Sequence, residues 1–397
     1  MLRINKTVKK TIAILLAVML MISVVACGKN ETNEGGTNNN EPAKEFSIED
    51  LETEVTSGNV AQYDFSDKAM KYLEYIGKNL AVRVMDEDPD DNKHDEAVAW
   101  IKEELIKAGY KDSQIEEQKG ECDYGKINNI ILSVEGKDTS KTIIVGAHYD
   151  GDGCGDNGSG TALLLATAVG LVDITPYYNI KFVFFDAEEV GMEGSYLFVE
   201  NMTEEEIANT AFCINMDALS FGDYANIYGG NAENLDNDDE SDDLLGAYNL
   251  AVRIGQNLGI KVWGPDALDG YFNEHGTGPE IEDNALYTNP WTKNNPAPIN
   301  HWVNSPATIP ASDHVPFDEK GIPYVYFEAT NWFAAGNDEY IAYTGYYETY
   351  DTSLGDGGMF MNTKYDTWEN LNNFFPGRAR KHFEIYSKLL SALLMVR

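Results

Sequence analysis

Side chains that can bind a metal follow three apolar segments of this sequence. They are His148 and Asp150 after the first segment, Asp156 in the glycine-rich loop that follows, Glu188 and Glu189 after the second segment, and Asp217 at the end of the third. One imidazole together with several carboxylates is a ligand set that zinc uses in proteins. The sequence therefore predicts a metal site if the fold brings the three segment ends together.

Segments with strand and helix patterns alternate along the chain. Short runs rich in Ile and Val predict buried strands, and apolar residues at helical spacing predict helices between them. The predicted strands are residues 129–134, 142–147, 180–186, 212–216 and 322–328, and the predicted helices are one or two within 47–79, then 94–109, 160–171, one after Gly194, 244–258 and 377–396. On the helix over 94–109 we expect Ile106 on the buried face.

This alternation predicts an α/β sandwich with a largely buried sheet. Ligands of open α/β sheets bind at the carboxyl ends of the strands, so the three polar ends are expected to converge there. A single histidine at a strand end is more often structural, and a Glu-Glu pair usually faces solvent. Three such ends on consecutive predicted strands favour a metal site over these structural interpretations.

Four short motifs carry a resemblance to a known family. They are Ala-His-Tyr-Asp at 147–150, Asp-Asn-Gly-Ser-Gly at 156–160, Glu-Glu-Val-Gly-Met-Glu-Gly-Ser at 188–195 and Asn-Met-Asp at 215–217. Over residues 94–373 the chain resembles the co-catalytic zinc aminopeptidases, which include bacterial leucyl aminopeptidase, aminopeptidase Y and the glutaminyl cyclases. The resemblance implies a three-layer α/β/α sandwich with a mixed, mostly parallel, eight-stranded central sheet.

The resemblance also implies a cofactor of one or two zinc ions and a role for each residue. These roles are zinc ligand for His148 and Asp217, bridging ligand for Asp156, ligand of the second zinc for Glu189, general base for Glu188 and orienting partner of His148 for Asp150. The implied reaction is hydrolysis of the N-terminal residue of a peptide, with water activated by the metal and by Glu188.

One position departs from the family pattern. The family has a histidine ligand in a His-Thr-x-x-Asp-Thr motif, and here the matching string, residues 362–367, begins with Asn362. Asn362 could bind zinc weakly through its amide oxygen, a harder donor than imidazole. Alternatively, His314, His301 or Glu348 could replace it, or the second metal could be lost.

The departure leaves three functions open. The leading hypothesis is an aminopeptidase acting on extracellular peptides. The second is a glutaminyl cyclase-like enzyme that needs one zinc, although that branch would be expected to keep the histidine. The third is a catalytically weakened or inactive lipoprotein that binds peptides on the same scaffold.

The N-terminal sequence predicts export. Residues 1–26 combine a basic start with an apolar run, as in a signal peptide. The ending Val-Val-Ala-Cys resembles a bacterial lipobox, which would attach Cys27 to lipid on the outer face of the cell membrane; the alternative is ordinary secretion. Residues 27–45 have the composition of a flexible tether. Residues 46–397 are the predicted peptidase domain, with an elaborated loop region at 220–304.

Composition excludes some partners and frameworks. The formal net charge is −37, which opposes binding to nucleic acid because the phosphates would be repelled. The acidic run at 236–243 lacks the glycine and closing glutamate of an EF-hand, so a solvated surface is favoured over a calcium loop. Beyond Cys27 the three cysteines have no close spacing, and they predict no disulfide framework.

Overall fold

The computed structural model describes residues 46–85, 92–230, 245–288, 311–331, 348–349 and 351–397. Residues Ser47–Arg397 form one compact unit. The predicted signal peptide, Cys27, the tether, the acidic run and His301 lie outside the described residues. In the described part of the chain, none of the helices is long and apolar enough to span a membrane.

Eleven β-strands occur within the described ranges. They are β1 (Val82–Arg83), β2 (Ile115–Cys122), β3 (Gly125–Val134), β4 (Asp138–His148), β5 (Gly151–Asp152), β6 (Tyr178–Phe185), β7 (Thr210–Asp217), β8 (Tyr224–Tyr228), β9 (Lys261–Trp263), β10 (Ala285–Tyr287) and β11 (Tyr324–Thr330). Nine of them form one sheet in the order β2-β3-β6-β4-β7-β11-β8-β10-β9, and β1 pairs with β5 separately.

The centre of the large sheet is parallel. Strand β4 lies between β6 and β7 and runs parallel to both, and β7 is parallel to β11. Antiparallel pairs occur at β2–β3, β3–β6 and β11–β8. The carboxyl ends of β4, β6 and β7 therefore open at the same edge of the sheet, as the sequence predicts.

Helices cover the sheet. They are α1 (Ser66–Asn79), α2 (His94–Ala108), α3 (Gly158–Gly170), α4 (Glu193–Glu200), α5 (Glu204–Asn209), α6 (Gly246–Asn257), α7 (Pro265–His275), α8 (Val315–Glu319), α9 (Trp368–Phe374) and α10 (Arg378–Leu394). Helix α3 packs against α1, α2 and α10, whereas α4 packs against α8 and β3. The result is an α/β sandwich with a mixed, largely parallel sheet, which confirms the predicted fold class.

Helix α3 shows how the sequence builds this centre. The side chain of Asn157 caps its first turn by accepting a hydrogen bond from the Gly160 N–H at 2.8 Å. Every residue from Gly158 to Val169 is buried. A helix that is apolar on all sides is stable only inside a large core. Because α3 follows the glycine-rich loop directly, the burial of this helix fixes the position of the last residues of the loop.

Three details differ from the sequence-based expectations. Ile106 lies on the solvent side of α2, with 45% of its surface exposed, because Ala97, Ile101 and Leu105 already fill the buried face. Nine strands replace the implied eight. The predicted loop region at 220–304 contributes the additional structure, including the short strands β9 and β10, whose three-residue length gives no readable alternation.

Candidate metal centre

His148 lies at the centre of the predicted site. It is the last residue of β4 and only 1% of its surface is exposed. Its Nε2 atom is 3.3 Å from Asp217 Oδ1 and 3.4 Å from Asp156 Oδ1. Glu188 Oε2 is 3.8 Å from the same nitrogen. One imidazole nitrogen therefore faces three carboxylates that the sequence places up to 69 positions away.

The parallel sheet brings His148 and Asp217 together. Strands β4 and β7 pair with Gly146 opposite Asn215, so both strands end at the same edge of the sheet. Asp217 is further oriented by Ser312, whose hydroxyl donates a hydrogen bond to Asp217 Oδ2 at 2.9 Å. The amide of Asn215 in turn donates to Ser312 Oγ at 2.8 Å. Sequence reasoning missed Ser312, which lies 95 residues from the carboxylate that it supports.

Asp150 joins His148 to the glutamate pair. The Nδ1 atom of His148 is 3.2 Å from the Asp150 carbonyl oxygen and 3.4 Å from Asp150 Oδ1, so the other ring nitrogen is directed at the carboxylate cluster. The same carboxylate accepts the backbone N–H of Glu188 at 3.1 Å and of Glu189 at 3.3 Å. A carboxylate that holds a ligand histidine is a common partner in metal sites. Here it also fixes the turn that presents both glutamates.

Two groups of carboxylates meet at His148. The ligand atoms of His148, Asp156 and Asp217 all lie within 4.8 Å of one another, and so do those of His148, Glu188 and Glu189. Such spacing suits a shared cation. The structure therefore places four of the predicted metal and catalytic side chains around the His148 imidazole, with Asp150 behind it.

A buried carboxylate, Asp366, supports the glycine-rich loop and was also missed. Its Oδ1 atom accepts the N–H of Cys154 at 3.0 Å and of Gly155 at 2.6 Å, and its Oδ2 accepts the N–H of Asp156 at 2.9 Å. A Cβ atom at Gly153 would clash with this carboxylate, so glycine is required there. The family motif includes this aspartate, and only the pairing with the loop was unforeseen.

Arg83 supports the same loop from the other side. This residue is 1% exposed, and its guanidinium donates to the carbonyls of Tyr149 at 2.6 Å and Gly153 at 3.0 Å. Strand β1, which contains Arg83, pairs with β5 in the loop. A two-residue strand has no sequence signature, which explains why Arg83 was not predicted to contribute.

Asn362 reaches the centre from the C-terminal part of the chain. Its amide nitrogen lies 3.4 Å from Asp156 Oδ2. The backbone at Asn362 has φ +55°, in the left-handed region that Asn tolerates better than most residues. Ala187 and Ala218, which adjoin Glu188 and Asp217, also have positive φ values of 60° and 49°. Backbone strain of this kind commonly concentrates at functional sites.

Two of the other proposed replacements for the family histidine, His314 and Glu348, are not part of the cluster among the residues that the structure describes. His314 is fully buried, and its ring stacks against Tyr324 and Tyr326 with centroid separations of 4.8 Å. Glu348 accepts the backbone N–H groups of Phe360 and Met361. His301 lies outside the described residues.

Electrostatics at this centre favour a cation. Burial, followed by the charge of Asp217, raises the pKa of Asp156 to about 6. Burial and then Asp156 raise the pKa of Glu189 to about 9. Burial lowers the pKa of His148, but Asp217 and Glu188 outweigh it and hold that pKa well above its ordinary value. Carboxylates crowded into a buried space repel one another, and a divalent cation would offset that repulsion.

One atom of Asp156 supports the same conclusion. Asp156 is 7% exposed, and its buried Oδ1 accepts no hydrogen bond from any residue that the structure describes. Its neighbour His148 Nε2 lies 3.4 Å away without forming a hydrogen bond, and a metal held by both residues would supply the partner that this buried oxygen lacks. The donor set, its crowding and this oxygen together fit zinc.

Comparison with known proteins supports the same family. Residues 129–258 match peptidase family M28. An aminopeptidase of Pseudomonas aeruginosa strain UCBPP-PA14 is 32% identical over 112 residues, which are 27% of this chain and 21% of that protein. Leucine aminopeptidase 2 of Trichophyton equinum is 31% identical over 107 residues, 26% of this chain and 22% of that protein. The matched part thus spans about a fifth of the length of these relatives.

Solved structures show the same fold. The Legionella pneumophila LapA aminopeptidase has a TM-score of 0.52 at 15% identity and covers 96% of this chain and 78% of its own. A glutaminyl cyclase from an Acidobacteriales bacterium has a TM-score of 0.51 at 16% identity and covers 91% of this chain and 99% of its own. The segment that carries all the strand-end residues, from His148 to Asp217, lies inside the family match. Residues 129–258 therefore match peptidase family M28 within this fold, in agreement with the resemblance that the motifs carry.

Proposed function

We propose that this protein is a zinc-dependent exopeptidase that removes N-terminal residues from extracellular peptides. The observation that carries the proposal is the cluster of His148, Asp156 and Asp217, whose ligand atoms lie within 4.8 Å of one another, with Glu188 beside it. A family M28 match over the same residues supports a metallopeptidase. The carboxylates alone would suit many cations, and the imidazole favours zinc.

Different residues would hold the two zinc ions. His148, Asp156 and Asp217 would hold one zinc. Glu189 and Asn362 would help to hold a second. When bound, zinc supplies Lewis acidity that polarises the scissile carbonyl and makes water more acidic. Asp150 keeps Nε2 of His148 directed at the cluster through its contact with Nδ1.

Glu188 is the proposed general base. Burial raises the pKa of Glu188 well above its ordinary value, so its carboxylate readily takes up a proton. It accepts the proton of the attacking water and passes that proton to the leaving amine. The bond from its own N–H to Asp150 fixes its position relative to His148.

The proposed location follows from the N-terminal sequence. Cleavage before Cys27 and lipid attachment there would hold the domain on the outer face of the membrane, with residues 28–45 as the tether. Extracellular peptides would then be the accessible substrates.

Asn362 gives a reason to keep a second candidate function. With an amide where the family has imidazole, the site could bind peptides with weak turnover. A glutaminyl cyclase-like enzyme that needs one zinc is the further alternative, although that branch would be expected to keep the histidine. A panel of aminoacyl anilides and a glutaminyl peptide separates these candidates. Release of the anilide supports the peptidase, and loss of ammonia from the glutaminyl peptide without anilide release supports the cyclase.

The decisive variant is Glu188→Gln. This change keeps the shape of the side chain and removes the proton acceptor, so kcat should fall about 10²- to 10⁴-fold while zinc content stays at the wild-type value. Glu189→Gln is the matched variant, and it should reduce metal content at the second position. A Glu188→Gln protein that hydrolyses anilides at the wild-type rate would contradict the assignment.

A further inference from the structure

A buried carboxylate that the proposed reaction does not use lies directly before the glutamate pair. Asp186 follows strand β6, and its side chain is completely buried. Its Oδ1 atom accepts the N–H of Ala187 at 2.9 Å, and its Oδ2 atom accepts the N–H of Asn128 at 2.8 Å. Asp186 therefore holds both the start of the turn that presents Glu188 and the adjoining strand β3.

The turn after β6 needs this support because its backbone is strained. Ala187 has a φ of +60°, in the left-handed region that residues with a Cβ rarely adopt. Such a conformation persists only where the surrounding contacts hold it. Two buried carboxylates accept the three consecutive N–H groups of the turn. They are Asp186, which accepts from Ala187, and Asp150, which accepts from Glu188 and Glu189.

His94 is the side-chain partner of Asp186. Its Nε2 atom lies 2.7 Å from Asp186 Oδ1, the same oxygen that accepts the Ala187 N–H. An ionised carboxylate only accepts hydrogen bonds, so Nε2 of His94 carries the proton. Burial lowers the pKa of His94, but the hydrogen bond to Asp186 and the charge of that carboxylate outweigh burial and raise this pKa above its ordinary value. One oxygen thus joins His94 to the residue before Glu188.

A second contact links His94 to the segment that follows strand β4. The hydroxyl of Tyr149, the residue after His148, lies 3.3 Å from His94 Nε2 and donates to the Asn128 carbonyl at 3.1 Å. The rings of Tyr149 and His94 have centroids 5.2 Å apart. Tyr149 is fully buried, whereas His94 is partly exposed. His94 therefore contacts the residue directly after His148 and the residue that begins the Glu188 turn.

Helix α2 fixes the position of His94. His94 is the first residue of this helix, and its N–H donates to Asn92 Oδ1 at 3.0 Å. The preceding residue, Lys93, donates its N–H to the Val82 carbonyl at 2.7 Å. Helix α2 in turn packs against the buried helix α3. A side chain at the start of a packed helix is a rigid support, which suits a residue that positions another.

We infer that His94 is a positioning residue for the proposed general base: through the hydrogen bond from its Nε2 to Asp186, it holds the turn that begins at Ala187, so that Glu188 reaches the attacking water. This inference rests on the proposed function. His94 acts through Asp186 and is not itself a metal ligand. A displacement of about 1 Å in a catalytic group can reduce the rate about 10²-fold, so the support of this turn matters for turnover.

The test compares two substitutions of His94 in the full-length, zinc-loaded protein. His94→Ala removes the donor, whereas His94→Gln keeps an N–H donor close to the position of Nε2. In His94→Ala we expect kcat for an aminoacyl anilide to fall about 10- to 100-fold, with KM and zinc content within about twofold of the wild type. His94→Gln should recover most of that loss. His275→Ala removes an exposed imidazole of α7 and is the matched control, with wild-type kcat expected.

Asp186→Asn tests whether the effect of His94 passes through Asp186. The asparagine keeps the shape of the side chain and removes the charge that His94 Nε2 faces, and we expect kcat to fall about 10-fold or more. The His94→Ala/Asp186→Asn double variant should be no slower than the slower single variant, because residues that act through one contact are not additive. Asp186→Asn also supplies the kcat comparison if His94→Ala fails to fold.

Nitrogen-15 NMR of the metal-free protein gives a readout without turnover. The His94 ring should carry its proton on Nε2 when the ring is neutral, because Asp186 Oδ1 accepts that proton. Exchange of this ring N–H with water should be slow in the wild type and about 10-fold faster or more in Asp186→Asn.

The outcomes separate this inference from the proposed function. A folded His94→Ala protein with wild-type kcat would overturn the inference and leave the peptidase intact. The same conclusion would follow from a loss that appears only in KM or in zinc content, from a His94→Gln protein as slow as His94→Ala, or from a neutral His94 ring without a proton on Nε2. A wild-type protein that binds zinc and hydrolyses no peptide would overturn both proposals.

Discussion

The metal centre has a strand side, His148 and Asp217, and a loop side, Asn362 and the loop that contains Asp156. Different contacts hold the two sides in place. His148 and Asp217 end neighbouring parallel strands, and every residue of β7 is buried. Asn362 arrives 206 positions after Asp156, on a loop fixed by buried carboxylates that accept backbone N–H groups. The departure from the family pattern occurs on the loop side. A ligand on a loop can change its chemistry without disturbing the sheet, whereas a ligand at a buried strand end cannot.

The largest expected effect contrasts one residue from each side. His148→Ala should reduce zinc affinity by more than about 100-fold, because even residues that only orient a ligand cost 10- to 100-fold. Asn362→Ala should keep one zinc per chain. Metal content after dialysis measures both variants. Equal loss of zinc in the two proteins would show that the strand side and the loop side contribute equally to zinc binding.

Asp366→Ala tests whether the loop side depends on buried N–H acceptors. The change leaves the N–H groups of Cys154, Gly155 and Asp156 without their partner, and we expect the free energy of unfolding to fall by about 2 kcal/mol. Urea denaturation gives the value. Asp351→Ala is the control, since Asp351 is exposed and its side chain bonds only to nearby Ser353 among the described contacts. Equal stability in both variants would contradict the role of Asp366.

Gly153→Ala disturbs the same contact from the loop. The new methyl group would clash with the Asp366 carboxylate, and we expect a loss of about 1–2 kcal/mol in unfolding free energy. Gly264→Ala is the matched control, because an added Cβ there meets nothing within 4 Å. If the two variants unfold at the same temperature, the glycine-rich loop accommodates the added methyl group, which would contradict the expected clash.

Much of this arrangement could be predicted from local sequence. The Ile- and Val-rich runs marked β4, β6 and β7, and the polar residues after each run identified His148 and Asp217. These residues could be predicted because each lies directly after an apolar run in the sequence. Strand pairing in the buried sheet then brings the strand ends together. The motifs then supplied the family, which the M28 match confirms.

The supporting residues could not be predicted in the same way. Arg83 lies on a two-residue strand, Ser312 is 95 residues from Asp217, and Asp366 is 210 residues from Asp156. Their contribution depends on tertiary contacts that have no periodic signature. Ile106 shows the converse, since helical spacing suggested burial and the packing of α2 left it exposed.

The smallest expected effect concerns the support of the strand side. Ser312→Ala removes the hydroxyl that donates to Asp217 Oδ2, and we expect about a 10-fold loss of zinc affinity with little change in stability. Competition with a chromophoric chelator gives the affinity. Ser353→Ala, at an exposed position, is the control. Unchanged affinity in Ser312→Ala would mean that the sheet alone orients Asp217.

The most direct test of the central claim is a crystal structure of the zinc-loaded protein with anomalous data collected on both sides of the zinc absorption edge. We predict a zinc peak in contact with His148 Nε2, Asp156 and Asp217, with Glu188 beside it and not coordinating the metal. The absence of a peak among these three residues, or a zinc peak at other residues alone, would contradict the account.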